Sequence, residues 1–411
     1  MNKWKKWLLL TVVIILIFFI VATIYVTIQR SSIRVPSVIF APLTSEQSHT
    51  DCQLPLVTVL AIDGGGVKGI IPAVLLRKME EGTQQPVAKL FDFMSGVSTG
   101  SILVALLTTP NEKGLPKYSA AEAIALYRDR AKEIFSATLW HRIFTLGGLI
   151  GPKYQSEGMQ RLTREYLGDT TMNKLLSHVV LFGYDLKNKG LLPFSNRIGQ
   201  AKNMPYFKVR DVIDGTTAIM SYFESKSLYS LQDKMKHTVA DASLVLNNPV
   251  AMGFLYAEKR CPNAQHYIVV SLGTGVIPKV DIQPQKWGLI RWLPDMLVTT
   301  IEGETVTADL FMDKFATMMN FNDGNHFPRV LYMRFNPDVS WKDSNPIDGS
   351  TKHLLTLEAI AEHYYQNNKL QFDCLFNILK NHSLDNLSNQ CIDLLKKKPI
   401  YSSAIFNDLQ N

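Results

Sequence analysis

Apolar residues along the chain fall into a few nearly unbroken blocks, each closed by a glycine-containing break. Leu56-Val57-Thr58-Val59-Leu60-Ala61-Ile62 is β-rich with almost no polar interruption. A strand with one wet face alternates, so such a run predicts a strand buried on both faces, as in a parallel sheet. It ends in Asp63-Gly64-Gly65-Gly66-Val67-Lys68-Gly69, and a helical pattern starts near Ile70 with Pro72 in its first turn. A second apolar run, from Phe91, stops at Gly96-Val97-Ser98-Thr99-Gly100 and passes at once into the helix-like Ile102–Leu107. His178–Asp185, the β-like run from Thr238 to Asp241, and Tyr267–Leu272 with its Gly273-Thr274-Gly275 exit predict further strands. Helices are expected to enter over Asp211–Ser221 and to cover Ala251–Glu258 and Leu354–Leu379. Strands alternating with helices predict a three-layer α/β domain with a parallel-rich central sheet.

Residues 109–175 read as a long irregular section. Within it, Ile134–Trp140 and Phe144–Gly151 read as helical core with a glycine turn, in preference to a lid or an acyl-chain wall.

Leu8–Ile28 carries no charge and is long enough to cross a bilayer. Trp4, Trp7 and Tyr25 flank it as interfacial anchors do. A cleaved signal peptide is the alternative, but the run is longer than the usual apolar core and no small-x-small cleavage site follows. The expected organisation is a basic N-terminus over 1–7, an anchor over 8–28 and a linker over 29–54. A catalytic core over 55–275 and a C-terminal extension over 276–411, packing on the core, complete it. Lys3, Lys5 and Lys6 on one side against Arg30 and Arg34 on the other favour a cytoplasmic N-terminus and an exported body, as in a bacterial inner-membrane protein.

The 411 residues carry a net charge of +7, of which the first fifty residues hold more than half, in five cations against Glu46. The body lacks the dense basic face of a nucleic-acid binder. Cys52, Cys261, Cys374 and Cys391 show no Cys-x-x-Cys spacing, which argues against a zinc site. Disulfides with three possible pairings and four unrelated thiols both remain open. Trp287–Pro294 suits either a lipid headgroup contact or a core-facing segment, and Lys396-Lys397-Lys398 is read as a solvated face.

Three motifs carry the chemistry. Gly96-Val97-Ser98-Thr99-Gly100 between a strand and a helix is the context of a nucleophile elbow, with Gly96 and Gly100 sparing the turn any bulk. The loop from Gly64 to Gly69 offers backbone N–H groups to an anion. A P-loop would need Ser or Thr after Lys68, where Gly69 stands, and a dinucleotide site leaves the serine elbow without a purpose. An oxyanion hole made by Gly64, Gly65 and Gly66 accounts for both features. The third motif is Asp241-Ala242-Ser243 ahead of Asn247-Asn248-Pro249, a carboxylate that leaves a strand into a loop of small residues. Paired with Ser98, it would take the hydroxyl proton directly, with burial beside Val239 and Val245 raising its pKa.

Together these motifs closely resemble the patatin-like phospholipase family, over roughly residues 55–275. The resemblance implies a Ser-Asp dyad that hydrolyses acyl esters of phospholipids or other lipids, without histidine, metal or cofactor. Carried over, Ser98 is the nucleophile, Asp241 the general base and the Gly64-Gly65-Gly66 amides the oxyanion hole. Lys68, Gly69, Gly96 and Gly100 support the loops. The partners implied are an acyl-lipid substrate and a membrane, with no nucleic acid. One departure is Ala242-Ser243, where the family has glycine and then Gly or Ala. If the first position takes a positive φ, alanine strains it by about 1 kcal/mol. Two rival readings are a Ser98-Asp185-His266 triad and a membrane-tethered acyl-lipid binder that has lost catalysis.

Overall fold

The computed structural model describes residues 52–196, 207–231, 234–277, 288–321, 327–385 and 387–395, with positions 4, 7, 17 and 20. The chain divides into two units, Met1–Ser45 and Glu46–Asn411, and every element below belongs to the second. The anchor expected over 8–28 lies outside the described residues except at Ile17 and Ile20, as does the linker up to residue 51. Among the described residues, no helix is long and apolar enough to cross a membrane.

The elements run β1 (Leu56–Ile62), α1 (Ile70–Thr83), β2 (Phe93–Val97), α2 (Thr99–Thr108), α3 (Ala120–Ile134), α4 (Leu139–Phe144) and α5 (Glu157–Leu167). Then follow β3 (His178–Asp185), β4 (Gly190–Ser195), α6 (Val209–Thr216), β5 (Lys226–Tyr229), β6 (Lys236–Asp241), α7 (Val250–Arg260) and β7 (His266–Leu272). The last third contributes α8 (Leu289–Met319), β8 (Val330–Phe335), α9 (Thr351–Asn367) and α10 (Lys369–Asn381).

The eight strands form one sheet in the order β5-β6-β3-β2-β1-β7-β8, with β4 also paired to β3. The run β3-β2-β1-β7-β8 is parallel, while β4, β5 and β6 pair antiparallel. The unbroken apolar run of β1 is explained by its two faces. Leu56, Leu60 and Ile62 enter the large core that also holds Ile71 and Leu75 of α1. Val57, Val59 and Ala61 point the other way, onto Val250 and Phe254 of α7 and Met312 of α8. The sheet is therefore sandwiched between helical layers, the three-layer α/β arrangement the pattern predicts.

The expectations are corrected or narrowed in five places. Residues 109–175 are not irregular: Ser119 caps α3 in a capping box with Glu122, and α5 packs behind it. The helix expected from Asp211 begins at Val209 and stops at Thr216, and the Leu354–Leu379 pattern is two helices that meet at Asn368. Of the two stretches expected as core, Ile134 and Phe135 do join the large core and the glycine turn falls at Gly147-Gly148, but Leu139, Trp140, Phe144 and Leu149 are all exposed. The cysteines are not unrelated thiols: Cys52 bonds Cys261, and Cys374 bonds Cys391.

Candidate active site

The candidate residues gather near the C-terminal ends of the parallel strands, with Asp241 brought in from the antiparallel β6. Ser98 follows β2 directly and caps α2 with φ 52° and ψ −121°, a conformation sparsely populated for any residue but glycine. Two glycines make the turn possible. A Cβ on Gly96 would lie 2.5 Å from the Gly100 carbonyl carbon, and one on Gly100 would lie 2.1 Å from the Ile62 oxygen. The turn is also tied by the Ser101 hydroxyl, which donates to the Gly96 carbonyl at 2.9 Å. Ser98 is half-buried, at the positive end of α2.

Val97 pairs with Phe182 on β3, and the next residue of β3, Gly183, pairs with Asp241 at the end of β6. Ser98 and Asp241 thus meet across β3, although 143 positions separate them in the chain. Asp241 is buried, and its Oδ1 accepts the N–H and the hydroxyl of Ser243 at 2.8 and 2.7 Å. Its Oδ2 has no partner of full hydrogen-bond geometry, and the Ser98 hydroxyl is the neighbour on which the carboxylate draws. Burial pushes the Asp241 carboxyl above the ordinary carboxylate range, against the weaker pull of Ser98 and Ser243. Val239, two residues before it on β6, is itself fully buried, whereas Val245, expected beside it, is 47% exposed.

Ala242 is not among the residues with positive φ, so the expected strain is absent. Its methyl group is instead fully buried against Val97, Phe182 and Leu246.

The glycine loop stands over Ser98. A Cβ on Gly64 would sit 2.3 Å from Asn247 Oδ1, 2.6 Å from Ser243 Oγ and 3.3 Å from Ser98 Cβ, so glycine alone lets the three segments converge. The Gly64 N–H donates to the Asn247 carbonyl at 3.0 Å and so is not offered to an oxyanion, a correction to the expected trio. The N–H groups of Gly65 and Gly66 have no hydrogen-bond acceptor among the described residues. Gly66 has φ +60° and its Cα faces the Pro346 carbonyl, while Gly69 leaves room for Thr99 and Tyr127. Lys68 is half-buried; burial lowers its pKa, with the carboxylates of Glu302 and Asp63 pulling the other way.

The triad reading does not hold. His266 pairs with Leu56 at the far end of β1 from the glycine loop, and its Nδ1 contacts the Pro328 carbonyl at 3.1 Å. Asp185 instead contacts His237, with Oδ2 3.0 Å from Nδ1, and accepts the N–H groups of Lys187 and Asn188.

Residues beyond 275 lock the catalytic loops, which the sequence did not disclose. Glu304 of α8 accepts the N–H groups of Asn247 and Asn248 through one oxygen, at 2.5 and 3.0 Å. Pro346 accepts the Val67 N–H at 2.8 Å. Arg334 of β8 donates to both carboxylate oxygens of Asp63 and, at 2.7 Å, to Ser271. Burial opposes both charges. The attraction of Asp63 outweighs it at Arg334, whose pKa is raised, while at Asp63 burial prevails over the guanidinium and the carboxyl is raised too. The bidentate fork and the persistent charge of arginine keep the pair ionised at neutral pH. An arginine alternating with apolar neighbours in Val330–Phe335 was the one available signal, and it pointed to no partner.

The sequence model of the Patatin family, described as patatin-like phospholipase, matches residues 60–253. Patatin-like protein 4 of Arabidopsis thaliana is 28% identical over 347 residues, 77% of this chain and 85% of that protein. Patatin-1-Kuras 2 of Solanum tuberosum is 30% identical over 306 residues, 67% of this chain and 78% of its own. Among solved structures, human GIVD cytosolic phospholipase A2 aligns with a TM-score of 0.37 at 9% identity, covering 80% of this chain and 60% of that one.

Proposed function

We propose that this chain, which belongs to the patatin-like phospholipase family, hydrolyses acyl esters of lipids with Ser98 as nucleophile and Asp241 as its general base. The observation that carries the reading is the convergence of a strained serine, a buried carboxylate and two unpartnered loop amides at one end of the sheet. Asp241 takes the Ser98 hydroxyl proton as Oγ attacks the ester carbonyl carbon. The Gly65 and Gly66 amides hold the resulting oxyanion. Collapse expels the alcohol, which leaves with the proton from Asp241. Water then gives up a proton to Asp241 and attacks the acyl-enzyme, freeing the fatty acid and restoring Ser98. A carboxylate raised by burial is a better base than an ordinary one, because its pKa lies nearer that of the proton it must take.

The body belongs, on this reading, on the oxidising side of a membrane. Two disulfides support it, since such bonds persist chiefly in secreted and periplasmic settings. The apolar run 8–28 would be the tether.

The test is fatty-acid release from phosphatidylcholine and phosphatidylglycerol vesicles by the wild type, Ser98→Ala and Asp241→Asn. Loss of release in both variants is expected. Retained release in Asp241→Asn would overturn the dyad, and retained release in Ser98→Ala would overturn the acyl-enzyme.

A further inference from the structure

The reaction leaves one surface feature unused. Thr138 caps α4, its side chain accepting the His141 N–H at 3.2 Å, yet no residue of α4 is buried. Leu139 and Phe144 are each 72% exposed, Trp140 69%, and beyond the helix Leu149 is 82% exposed. Leu146, Gly147 and Gly148 all have positive φ and turn the chain back, so that Leu149 and Ile150 join the same small hairpin. A helix covered only at His141 gains little from packing, so its apolar side chains are left for something outside the fold.

The hairpin is connected to the catalytic end of the sheet. His141 Nε2 and the Pro152 carbonyl are 2.8 Å apart, closing its base. Lys153 and Tyr154 then donate their N–H groups to the carbonyls of Ser221 and Tyr222, at 3.0 and 2.8 Å. A few residues earlier on that same segment, the Ala218 carbonyl accepts the N–H of Asp241 at 3.0 Å. The surface and the proposed base therefore hang on one short stretch of backbone.

Charge identifies the occupant. Residues 137–156 contain Arg142 and Lys153 and no acidic residue. Lys153 lies over the rings of Tyr154 and Tyr222, at 5.5 and 5.4 Å, and Arg142 is exposed. Tryptophan, phenylalanine and leucine with cations beside them suit the boundary between anionic headgroups and acyl chains. A standard protein interface takes roughly 20–30 residues a side and a matched shape, whereas this hairpin offers about half that number. A bilayer needs no matched shape.

We infer that the hairpin 139–151 is the face by which the protein seats on an anionic bilayer surface, next to the site that takes its lipid. The inference rests on the lipid-hydrolase reading for its choice of partner. Its test does not need turnover. Hydrogen exchange is followed in full-length Ser98→Ala, with and without vesicles of phosphatidylcholine and phosphatidylglycerol in equal parts. Because the readout is local to each peptide, the apolar run 8–28 does not confuse it. Slower exchange across 139–151 on adding vesicles, weakened by salt, is expected. Unchanged exchange there overturns the inference, as does protection that needs no lipid and grows with protein concentration, which would mean a second copy.

A second measurement uses Trp140→Ser/Phe144→Ser in the otherwise wild-type chain. Losing two aromatic anchors that the bilayer would cover should reduce hydrolysis of vesicles by about tenfold or more, with a soluble short-chain ester turned over within about twofold of wild type. Equal loss on both substrates overturns the inference in favour of a lid over the acyl chain. If Ser98→Ala itself hydrolyses ester, the proposed function fails while the exchange result stands. If the wild type hydrolyses lipid and 139–151 is unprotected, only the surface fails.

Discussion

Arg334 grips Asp63 with both guanidinium nitrogens of its fork, across 271 positions of sequence and with both side chains almost fully buried. Asp63 opens the glycine loop, and its N–H donates to the Leu272 carbonyl at 3.1 Å, so the pair fixes where the loop leaves the sheet. Arg334→Met should destabilise the protein by about 3–5 kcal/mol, because it strands a buried carboxylate rather than merely deleting a contact. Chemical denaturation checks this. Asp63→Asn/Arg334→Met should recover part of the loss, since no unpaired charge remains.

The glycine loop predicts a separation of rate from stability. A Cβ at Gly65 would lie 2.2 Å from Thr274 Oγ1, the hydroxyl that donates to the Gly64 carbonyl. Gly65→Ala must therefore displace the loop that carries the two unpartnered amides. Loss of one oxyanion donor lowers kcat by roughly 10²–10³-fold, and Gly65→Ala should fall in that range while still unfolding cooperatively. Steady-state kinetics with parallel thermal melts would show it.

Asp241 should leave its mark on pH dependence. Its folded pKa is raised by burial, above an unfolded value of about 3.9. The acid limb of kcat/KM in the wild type should accordingly lie above the usual carboxylate range, and Asp241→Asn should fall to background at every pH. The stability sign is opposite to that of a salt-bridged carboxylate. Well below the unfolded pKa the group is neutral in both states and costs nothing. As pH rises through the folded pKa, the native state must ionise a buried group, and stability is lost. Asp241→Asn should therefore melt higher than wild type at neutral pH, by a margin that narrows on acidification.

The disulfides predict a redox-dependent melt. Cys52–Cys261 ties the entry of β1 to the end of α7 over a sequence separation of 209, and Cys374–Cys391 ties α10 to the short helix Asn389–Leu395. Each should contribute about 2–5 kcal/mol. Thiol titration of the unfolded, unreduced chain should find no free cysteine, and reductant should lower the melting temperature.

What was legible in the sequence follows from burial. β1, β3 and β7 are covered on both faces, so their apolar runs have few polar gaps and their limits nearly coincide with the pattern. The elbow and the loop were legible because close backbone approach admits glycine only, at Gly64, Gly96 and Gly100. β4 and β5 lie partly exposed and alternate weakly, so nothing in their composition marks them. The hairpin around Trp140 was misread because apolar periodicity records that a surface avoids water without saying what covers it. Glu304 and Arg334 were missed for another reason: each acts on a backbone or a charge brought near only by the complete sheet.

The ribosome makes the chain in a fixed order. Asp63, Ser98 and Asp241 all leave the ribosome before Glu304, Arg334 and Pro346 do. Until β8 exists, Asp63 has no counter-charge, the Val67 amide has no acceptor, and the loop after Asp241 lacks its clamp. The nascent chain thus carries Asp63, Ser98 and Asp241 without the fastenings that hold the loops around them. The loops around Ser98 and Asp241 are therefore fastened late in synthesis, when the body is nearly whole.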